Sequence, residues 1–413
     1  MKPTLPFSQT EIEKLAATHP TPFYIYDEQS IVAGADDLNK AFTNAGLKHK
    51  NFFAVKALPN PHILKILAAQ GMGADCSSLP ELLIAEQAGL TGEDIFLTSN
   101  NTPAEEFKEA ARLGAIINFD DISHLPYFQK HLGELPEIGC ARYNPGDLKD
   151  GTSIIGKPLE AKFGATRKQI IEIYEQMQSA GVKRFGIHTM VASNSLEPAY
   201  LIDTAKILFQ LILEIYQKTG IVFEFANLGG GFGIPYQPDQ HSLDIIKVAQ
   251  GIKKHHDEIL LKVGHPEIHI FTENGRWITG PHGYLITKAI HFKNTYKNYI
   301  GVDASMANLM RPGMYGAYHH ITVLGKENSP LTNTYDVVGS LCENNDKFAI
   351  DRNLPKIETG DLLVIQDAGA HAHSMGFNYN GKLRNAEFLL KDDGSYQIIR
   401  RAETIKDYFA TLV

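Results

Sequence analysis

Residues 51–61 read NFFAVKALPNP, in which Lys56 directly follows four apolar residues. An uninterrupted apolar run is typical of a strand buried on both faces, as in a parallel sheet. Because burying an unpaired ammonium is costly, a lysine is not expected inside such a core. We therefore expect Lys56 to end a core strand, just before a loop bounded by prolines.

Seven further strand-like runs follow, and helical patterns separate them. The eight predicted strands are 52–56, 73–76, 95–99, 115–120, 138–142, 185–190, 223–229 and 268–273. Strands that alternate with helices predict parallel pairing, and eight of them are the number that closes an α/β TIM barrel, (β/α)8. A doubly wound open sheet is the alternative, since the sequence alone does not show closure.

The pattern changes after about residue 283, where short strand-like runs succeed one another with turn signals between them. This part predicts a second, mainly β-barrel domain, with a hairpin turn at KDDGS (391–395) and a short helix at 405–412. The early run TPFYIYD (21–27) is expected to pair into the same domain. We therefore assign 30–283 to the barrel, and 1–29 with 284–413 to the β domain.

Composition bounds the function. The 413 residues are 43% hydrophobic and 21% charged, with a net charge of −8, which argues against nucleic acid or an anionic membrane as partner. The cysteines Cys76, Cys140 and Cys342 are far apart and favour a reducing, cytoplasmic location. No apolar run is long enough to span a bilayer. The N-terminus has no signal-peptide pattern and predicts a helix with a capping box of Thr10 and Glu13.

The chemistry of a TIM barrel lies at the carboxyl ends of its strands. A lysine in a partly desolvated barrel mouth has a lowered pKa and becomes a nucleophilic amine, which we expect of Lys56. The alternative is a rim lysine that extends into solvent. In the run NLGGGFGIPY (227–236), Gly229, Gly230 and Gly231 follow strand seven, where barrels hold phosphate. Tight packing would also explain these glycines. A nucleophilic lysine facing a phosphate anchor predicts pyridoxal 5'-phosphate as cofactor.

The end of strand eight supplies a further charge. In FTENGRWITGP (271–281), Glu273 could hold a proton on a pyridine nitrogen, because a nearby anion favours the charged pyridinium. Gly275 offers a backbone donor, and Arg276 can bind a phosphate or a carboxylate through two bonds. A surface Glu–Arg pair is the other interpretation. In the β domain, Cys342 adjoins Glu343, so a proton donor and a carboxylate lie side by side, although a lone cysteine is commonly a core residue.

With these residues in place, the chain resembles the fold-type III pyridoxal phosphate-dependent decarboxylases, and among them the diaminopimelate decarboxylase family. The resemblance covers almost the whole chain through FFAVKALPNP, GADCSSLPEL, LGGGFGIPY, TENGR, RPGMYGAYH, LCENND and GDLLVIQDAGA, in that order. It implies that meso-2,6-diaminopimelate is converted to L-lysine and carbon dioxide in a homodimer with shared active sites. It implies these site residues: Lys56 on the cofactor aldehyde, Asp75, His188 and Glu273 around the ring, Ser193, Gly229–Gly231 and Gly275–Arg276 at the phosphate, Arg276, Arg311 and Tyr315 on substrate carboxylate, Glu343 on the distal amine, and Cys342 as the final proton donor.

The chain departs from the family pattern at several positions. The family usually has two alternating histidines where this chain reads GIHTMVAS (186–193), so that Met190 replaces the histidine that stacks on the ring. A thioether can still pack on an aromatic face. Asn274 stands in place of the usual proline, and His371 in place of a tyrosine that contacts the phosphate. His371 and His373 alternate and so would share a strand face, but they lack a third ligand and predict no metal.

Three other functions stay open. Decarboxylases of ornithine, lysine, arginine or carboxynorspermidine share the fold and cofactor, but the presence of Arg311 and of the Glu343 neighbourhood favours a substrate with both a distal carboxylate and a distal amine. An amino-acid racemase would be expected to place a cation at the pyridine nitrogen, where this chain has Glu273. A non-enzymatic pyridoxal phosphate carrier would not need the second domain. Tyr379 and Asn380 are expected to border the substrate.

Overall fold

The computed structural model describes residues 4–149 and 156–413. The chain divides into two units, which are named here by their architecture. The barrel unit comprises Val32–Ile234 and His241–Trp277, and the β unit comprises Met1–Ile31, Pro235–Gln240 and Ile278–Val413.

Helices and strands alternate through the first two thirds of the chain. The α-helices are α1 (Gln9–Thr18), α2 (Glu28–Asn44), α3 (Pro61–Ala69), α4 (Leu79–Gln87), α5 (Ala104–Leu113), α6 (His124–Leu132), α7 (Arg167–Ser179), α8 (Pro198–Thr219), α9 (Ile245–Ile259), α10 (Arg276–Thr279), α11 (Arg311–Tyr315) and α12 (Ile405–Phe409). The strands are β1 (Phe23–Asp27), β2 (His49–Ala54), β3 (Gly73–Cys76), β4 (Ile95–Thr98), β5 (Ile116–Phe119), β6 (Ile138–Tyr143), β7 (Arg184–Thr189), β8 (Phe223–Asn227), β9 (His269–Thr272), β10 (Gly283–Asn294), β11 (Asn298–Val302), β12 (Ile321–Val323), β13 (Asn333–Val338), β14 (Lys347–Leu354), β15 (Leu362–Ile365), β16 (Ala386–Leu390) and β17 (Tyr396–Arg400). Among the described residues, none of these helices is both long and apolar enough to cross a membrane.

Strands β2 to β9 are all parallel and form a closed barrel, in which β9 pairs with β2. The predicted (β/α)8 barrel is therefore confirmed, and the open doubly wound sheet is wrong. Each predicted strand corresponds to one of these eight, although several end one or two residues earlier than expected. The difference matters at β2, which ends at Ala54, so that Lys56 belongs to the following connection.

Aromatic side chains fill the inside of the barrel. The rings of Phe52 and Phe96 have centroids 5.4 Å apart, and those of Phe225 and Phe271 are stacked at 4.6 Å. A Cβ atom on Gly186 would lie 1.9 Å from the Phe225 ring, so that only glycine leaves room for this packing. The interior is therefore closed by apolar contacts, and polar chemistry is left to the strand ends.

The β unit is built on a nine-stranded sheet in the order β14-β13-β11-β10-β1-β16-β17, with β15 paired to β10 and β12. The prediction that 21–27 pairs into this part is confirmed, because β1 lies between β10 (antiparallel) and β16 (parallel). The predicted hairpin at 391–395 is also confirmed, since β16 and β17 are antiparallel neighbours. The last helix is shorter than expected and ends at Phe409.

Local capping accounts for where several helices begin. Helix α7 starts after Thr166, which forms a reciprocal capping box with Gln169. The N-terminal helix is also capped in this way, but the predicted pair was wrong: Ser8 and Glu11 make the box. Ser8 has the extended backbone that an N-cap requires, whereas Thr10 lies already inside the helix.

Candidate active site

Lys56 lies in a 3-10 turn, Val55–Ala57, immediately after β2. Its Nζ atom is 3.4 Å from Oδ2 of Asp75, which lies in β3. The Asp75 side chain is fully buried, whereas the Lys56 side chain is 50% exposed. The lysine therefore sits at the carboxyl end of the barrel, as predicted, with a buried carboxylate beneath it and an accessible amine.

The predicted direction of the Lys56 pKa is wrong. Burial by itself lowers this pKa, but the negative charges of Asp75, Glu273 and Glu81 together outweigh burial and raise it. Burial, followed by the charge of Glu273, raises the pKa of Asp75 to about 8. Lys56 is therefore a firmly held ammonium beside a carboxyl group that ionises reluctantly.

Glu273 follows β9 and is buried among polar partners. Its Oε1 accepts a hydrogen bond from Nδ2 of Asn227 at 2.8 Å, and its Oε2 lies 3.2 Å from Nε2 of His188. Burial raises the pKa of Glu273, but the nearby charges of His188, Lys56 and Arg142, with the His188 hydrogen bond, lower it overall. Glu273 is therefore an ionised carboxylate with a fixed orientation. A negative charge of this kind is required to keep a pyridine nitrogen protonated.

The glycine turn that follows β8 is fixed by bonds to its neighbours. The N–H of Gly229 donates to Oδ1 of Asn227 at 2.9 Å, and the N–H of Gly230 lies 3.1 Å from Sδ of Met190. A Cβ atom on Gly230 would lie 2.4 Å from the carbonyl oxygen of Glu273, which explains why glycine is needed there. Among the described residues Gly231, which is half-buried with φ of 97°, has no acceptor for its N–H. Of the N–H groups of these three glycines, which were predicted to bind phosphate, only that of Gly231 lacks a partner among the described residues.

The segment that carries Ser193 packs along this turn. The N–H of Ser195 donates to the carbonyl of Gly231, and the N–H of Gly233 donates to the carbonyl of Ser195, both at 2.9 Å. A Cβ atom on Gly231 would meet Ala192 at 2.5 Å. The half-buried Ser193 is therefore held next to Gly231 by its neighbours in sequence. Its assignment to the phosphate stays a prediction.

Gly275 and Arg276 lie close to the turn of Lys56. A Cβ atom on Gly275 would lie 2.6 Å from Cβ of Ala57, and Arg276, the first residue of α10, is buried. The structure thus brings Lys56, Asp75, Glu273, the glycine turn and residues 275–276 to one end of the barrel unit. Met190 joins them too, but its sulfur contacts the glycine turn, and the expected stacking on a ring stays a prediction.

Two polar residues of this end were missed from the sequence. Nη1 of Arg142, near the end of β6, lies 3.4 Å from Oδ1 of Asp120, and both side chains are buried. Oδ2 of Asp120 accepts from the N–H of Gly164 at 3.1 Å. The signal was available, because two predicted strands ended at these residues, but neither belongs to a motif. Asn227 was also missed, although the run NLGGGFGIPY begins at it, because only the glycines of that run were singled out.

The β unit holds Arg311, Tyr315 and Glu343, three of the predicted substrate residues, on two adjacent segments. The guanidinium of Arg311 is buried over the ring of Tyr236, 5.1 Å from its centroid, and Tyr315 is 42% exposed at the end of the same short helix. A Cβ atom on Gly313 would lie 2.5 Å from the carbonyl oxygen of Asn345, so this helix packs on the loop that carries Glu343. The segment that carries Arg311 and Tyr315 therefore contacts the loop that carries Glu343.

The loop that carries Cys342 is tied to the segment of Tyr379. The N–H of Cys342 donates to Oδ1 of Asn380 at 2.7 Å, and both Cys342 and Tyr379 are exposed. The Asp346 carboxylate fixes the other end of the loop, since Oδ2 accepts from the N–H of Leu341 at 2.8 Å. The exposed Cys342 therefore lies on a loop that hydrogen bonds to Asn380 and Asp346 hold in place.

The expectation that His371 and His373 share a strand face is wrong. His371 has a positive φ of 53°, and His373 opens a 3-10 turn. His373 is buried, with Nε2 3.2 Å from the carbonyl oxygen of Asn385 and Nδ1 3.0 Å from Arg384. It is therefore a structural residue, and the phosphate contact of His371 stays a prediction.

The lysine, the ionised glutamate and the glycine turn define the barrel unit as a site for an aldehyde cofactor with a phosphate group. The family described as pyridoxal-dependent decarboxylase, pyridoxal binding domain, matches residues 28–280. The chain belongs to the pyridoxal-dependent decarboxylases, and pyridoxal 5'-phosphate is its cofactor. Half-buried Gly231, whose N–H has no acceptor in the part of the chain that the structure describes, and the half-exposed side chain of Lys56 fit this group.

Similar proteins extend over nearly the whole chain. Protein TabA of Pseudomonas amygdali pv. tabaci is 41% identical, covering 96% of this chain and 92% of that protein. A diaminopimelate decarboxylase of Methanothermobacter thermautotrophicus is 35% identical over 95% of this chain and 92% of its own length. The structure of diaminopimelate decarboxylase from Helicobacter pylori complexed with L-lysine has a TM-score of 0.87 at 29% identity, covering 97% of this chain and 98% of that one.

Proposed function

We propose that this chain decarboxylates meso-2,6-diaminopimelate at its D centre, with release of L-lysine and carbon dioxide. The observation that carries the proposal is the position of Lys56 and the ionised Glu273 at the same barrel end as the glycine turn. Several relatives named diaminopimelate decarboxylase support the substrate, as does the contact in the β unit between the segments that carry Arg311 and Glu343.

Bound pyridoxal phosphate supplies an electron sink in conjugation with the amino group of the substrate. Lys56 binds the aldehyde between turnovers, and the raised pKa means that it must first release a proton. Oδ2 of Asp75, 3.4 Å away, accepts that proton when the carboxyl group is ionised, which its raised pKa favours only toward higher pH. Glu273 holds a proton at the pyridine nitrogen, which keeps the ring electron-withdrawing.

The β unit residues decide which carboxylate leaves. Loss of a carboxylate is favoured where the protein strips its water without pairing it tightly. We therefore assign Arg311 and Tyr315 to the distal carboxylate, which is retained, and Glu343 to the distal ammonium. When the bond from Cα to the carboxylate breaks, the electron pair stays with Cα, and Cys342 donates the proton that replaces carbon dioxide.

We further propose that the protein is a cytoplasmic homodimer with shared active sites. Three cysteines without a disulfide, one of them exposed at Cys342, suit a reducing compartment. The exposed, anchored loop of Cys342 is suited to serve the site of a second copy of the chain.

The experiment that tests the proposed function compares substrates on the purified enzyme with its cofactor. Carbon dioxide and L-lysine should form from meso-2,6-diaminopimelate, whereas L-lysine and L-ornithine should react far more slowly. Faster decarboxylation of L-lysine or L-ornithine would assign the chain to the decarboxylases of basic amino acids. Racemised amino acid without carbon dioxide would refute decarboxylation altogether.

A further inference from the structure

A closed cycle of three hydrogen bonds joins the ring end of the cofactor site to its phosphate end. The N–H of Gly229 donates to Oδ1 of Asn227 at 2.9 Å, and Nδ2 of Asn227 donates to Oε1 of Glu273 at 2.8 Å. The N–H of Glu273 then donates to the carbonyl oxygen of Gly229 at 2.9 Å. The side chain of Asn227 thus bonds to both the carboxylate and the turn.

The position of Asn227 suits this double role. It is the last residue of β8, fully buried, and its neighbour across the sheet is His188, which contacts the other oxygen of Glu273. Both carboxylate oxygens therefore have a partner, and the plane of the carboxylate is fixed. An amide presents an acceptor oxygen and a donor NH2 group in a rigid plane, a combination that neither an ionised aspartate nor a leucine provides.

We propose that Asn227 is a positioning residue, which holds Glu273 and the Gly229–Gly231 turn at the separation that a single pyridoxal phosphate molecule requires. Pyridoxal phosphate has a rigid ring, and its short methylene–oxygen link restricts the distance between the phosphate and the pyridine nitrogen to a narrow range. A site that holds both ends in place before binding loses less free energy when the molecule is ordered. This inference rests on the proposed roles of Glu273 at the ring and of the glycine turn at the phosphate.

The role of Asn227 can be tested by comparing the binding of pyridoxal phosphate with the binding of pyridoxal and inorganic phosphate as separate molecules. If Asn227 sets the spacing, its loss should weaken pyridoxal phosphate more than it weakens pyridoxal and inorganic phosphate bound as separate molecules. The quantity to measure is the affinity of the apoenzyme for pyridoxal phosphate divided by the product of its affinities for pyridoxal and inorganic phosphate. A residue that only stabilises the barrel would leave this ratio unchanged.

The test uses Asn227→Leu, with Asn118→Leu as the matched control. Asn118 is also a buried strand asparagine of the barrel, and its side chain bonds to Thr98 and Cys140 without reaching Glu273. We expect Asn227→Leu to weaken pyridoxal phosphate roughly tenfold to a hundredfold, as for loss of a hydrogen bond to a charged group, and to lower the ratio. Asn118→Leu should leave the ratio at the wild-type value.

A second variant, Asn227→Asp, keeps the shape and the acceptor for Gly229. Its carboxyl group would face Glu273, so one of the two must hold a proton, and the affinity for pyridoxal phosphate should fall as pH rises and that proton is lost. An Asn227→Leu enzyme with a wild-type ratio would overturn the proposal, as would an Asn227→Asp enzyme whose affinity has the wild-type pH dependence. None of these measurements involves turnover, so a failure to decarboxylate diaminopimelate would refute the proposed function and leave this inference standing.

Discussion

The Nζ atom of Lys56 lies 3.4 Å from Oδ2 of Asp75, although the two residues belong to successive strand–helix segments of the barrel. A fully buried carboxylate thus faces an amine that is half exposed. Burial alone would make the amine a better nucleophile, but the surrounding carboxylates reverse the effect and raise its pKa. The amine must therefore lose a proton before it can react with the cofactor aldehyde.

Replacement of this amine should abolish both cofactor attachment and turnover. Lys56→Ala removes the only group of the proposed mechanism that binds the aldehyde covalently, so the visible absorbance of the bound cofactor and carbon dioxide release should both disappear. Lys50→Ala is the control, because Lys50 lies in the same strand β2 but is paired with Asp94. A Lys56→Ala enzyme that keeps both signals would refute the assignment.

Asp75 should make the apoenzyme less stable as pH rises. Its pKa is about 8 in the folded chain, compared with an ordinary value of 3.8, so between these values the folded state retains a proton that the unfolded state has lost. The contribution of Asp75 to the free energy of unfolding therefore falls as pH rises through this window. Asp75→Asn should flatten the decline of the melting temperature between about pH 5 and pH 8.

Asp94→Asn provides the comparison for that measurement, since Asp94 is 54% exposed in its side chain and paired with Lys50 at the surface. It should reproduce the pH dependence of the wild-type apoenzyme. Parallel curves for Asp75→Asn and wild type would show that Asp75 titrates normally in the fold.

The sequence predicted the fold well because the barrel rests on local patterns. Most of the eight strands contain a short apolar stretch, and a stretch of this kind is recognisable without its partners. The position of Lys56 at the barrel mouth followed from the same periodicity. Helix starts were less certain, since Ser8 and Thr10 both satisfy the residue preference of an N-cap and only the backbone separates them.

The electrostatics of the site could not be predicted in this way. The pKa of Lys56 depends on Asp75, Glu81 and Glu273, whose distances from the amine follow from barrel closure and not from spacing in the sequence. Asn227 is similar, because an asparagine two residues before a glycine run has no signal of its own. Its importance appears only when Glu273, from the next strand, is placed beside it.

Loss of the Cys342 thiol should slow product formation while the cofactor stays bound. Cys342→Ala removes the proposed proton donor to Cα, and general acid catalysis typically contributes about a hundredfold to ten-thousandfold in rate. Cys342→Ser keeps the size of the side chain but is a weaker acid, so it should be slow as well. Rates near that of wild type for either variant, with L-lysine as product, would contradict the role.

Asn380 should act on the same step through its bond to the Cys342 backbone. Asn380→Ala removes the acceptor that lies 2.7 Å from that N–H, which should lower kcat about twofold to tenfold, as expected for one neutral hydrogen bond. The control is Asn378→Ala, since Asn378 lies in the same segment but bonds to Lys382 and Glu403. Equal kcat values for the two variants would show that the bond does not position the loop.

Shared active sites can be tested by mixing two inactive variants. If Cys342 of one chain serves Lys56 of the other, a dimer of one Lys56→Ala chain and one Cys342→Ala chain has a single intact site, in which both wild-type residues meet. Random exchange places half of the chains in such mixed dimers, so activity should recover to roughly a quarter of that of wild type at equal total concentration. Were both residues supplied by one chain, every site in the mixture would lack one of them, and mixing would restore nothing.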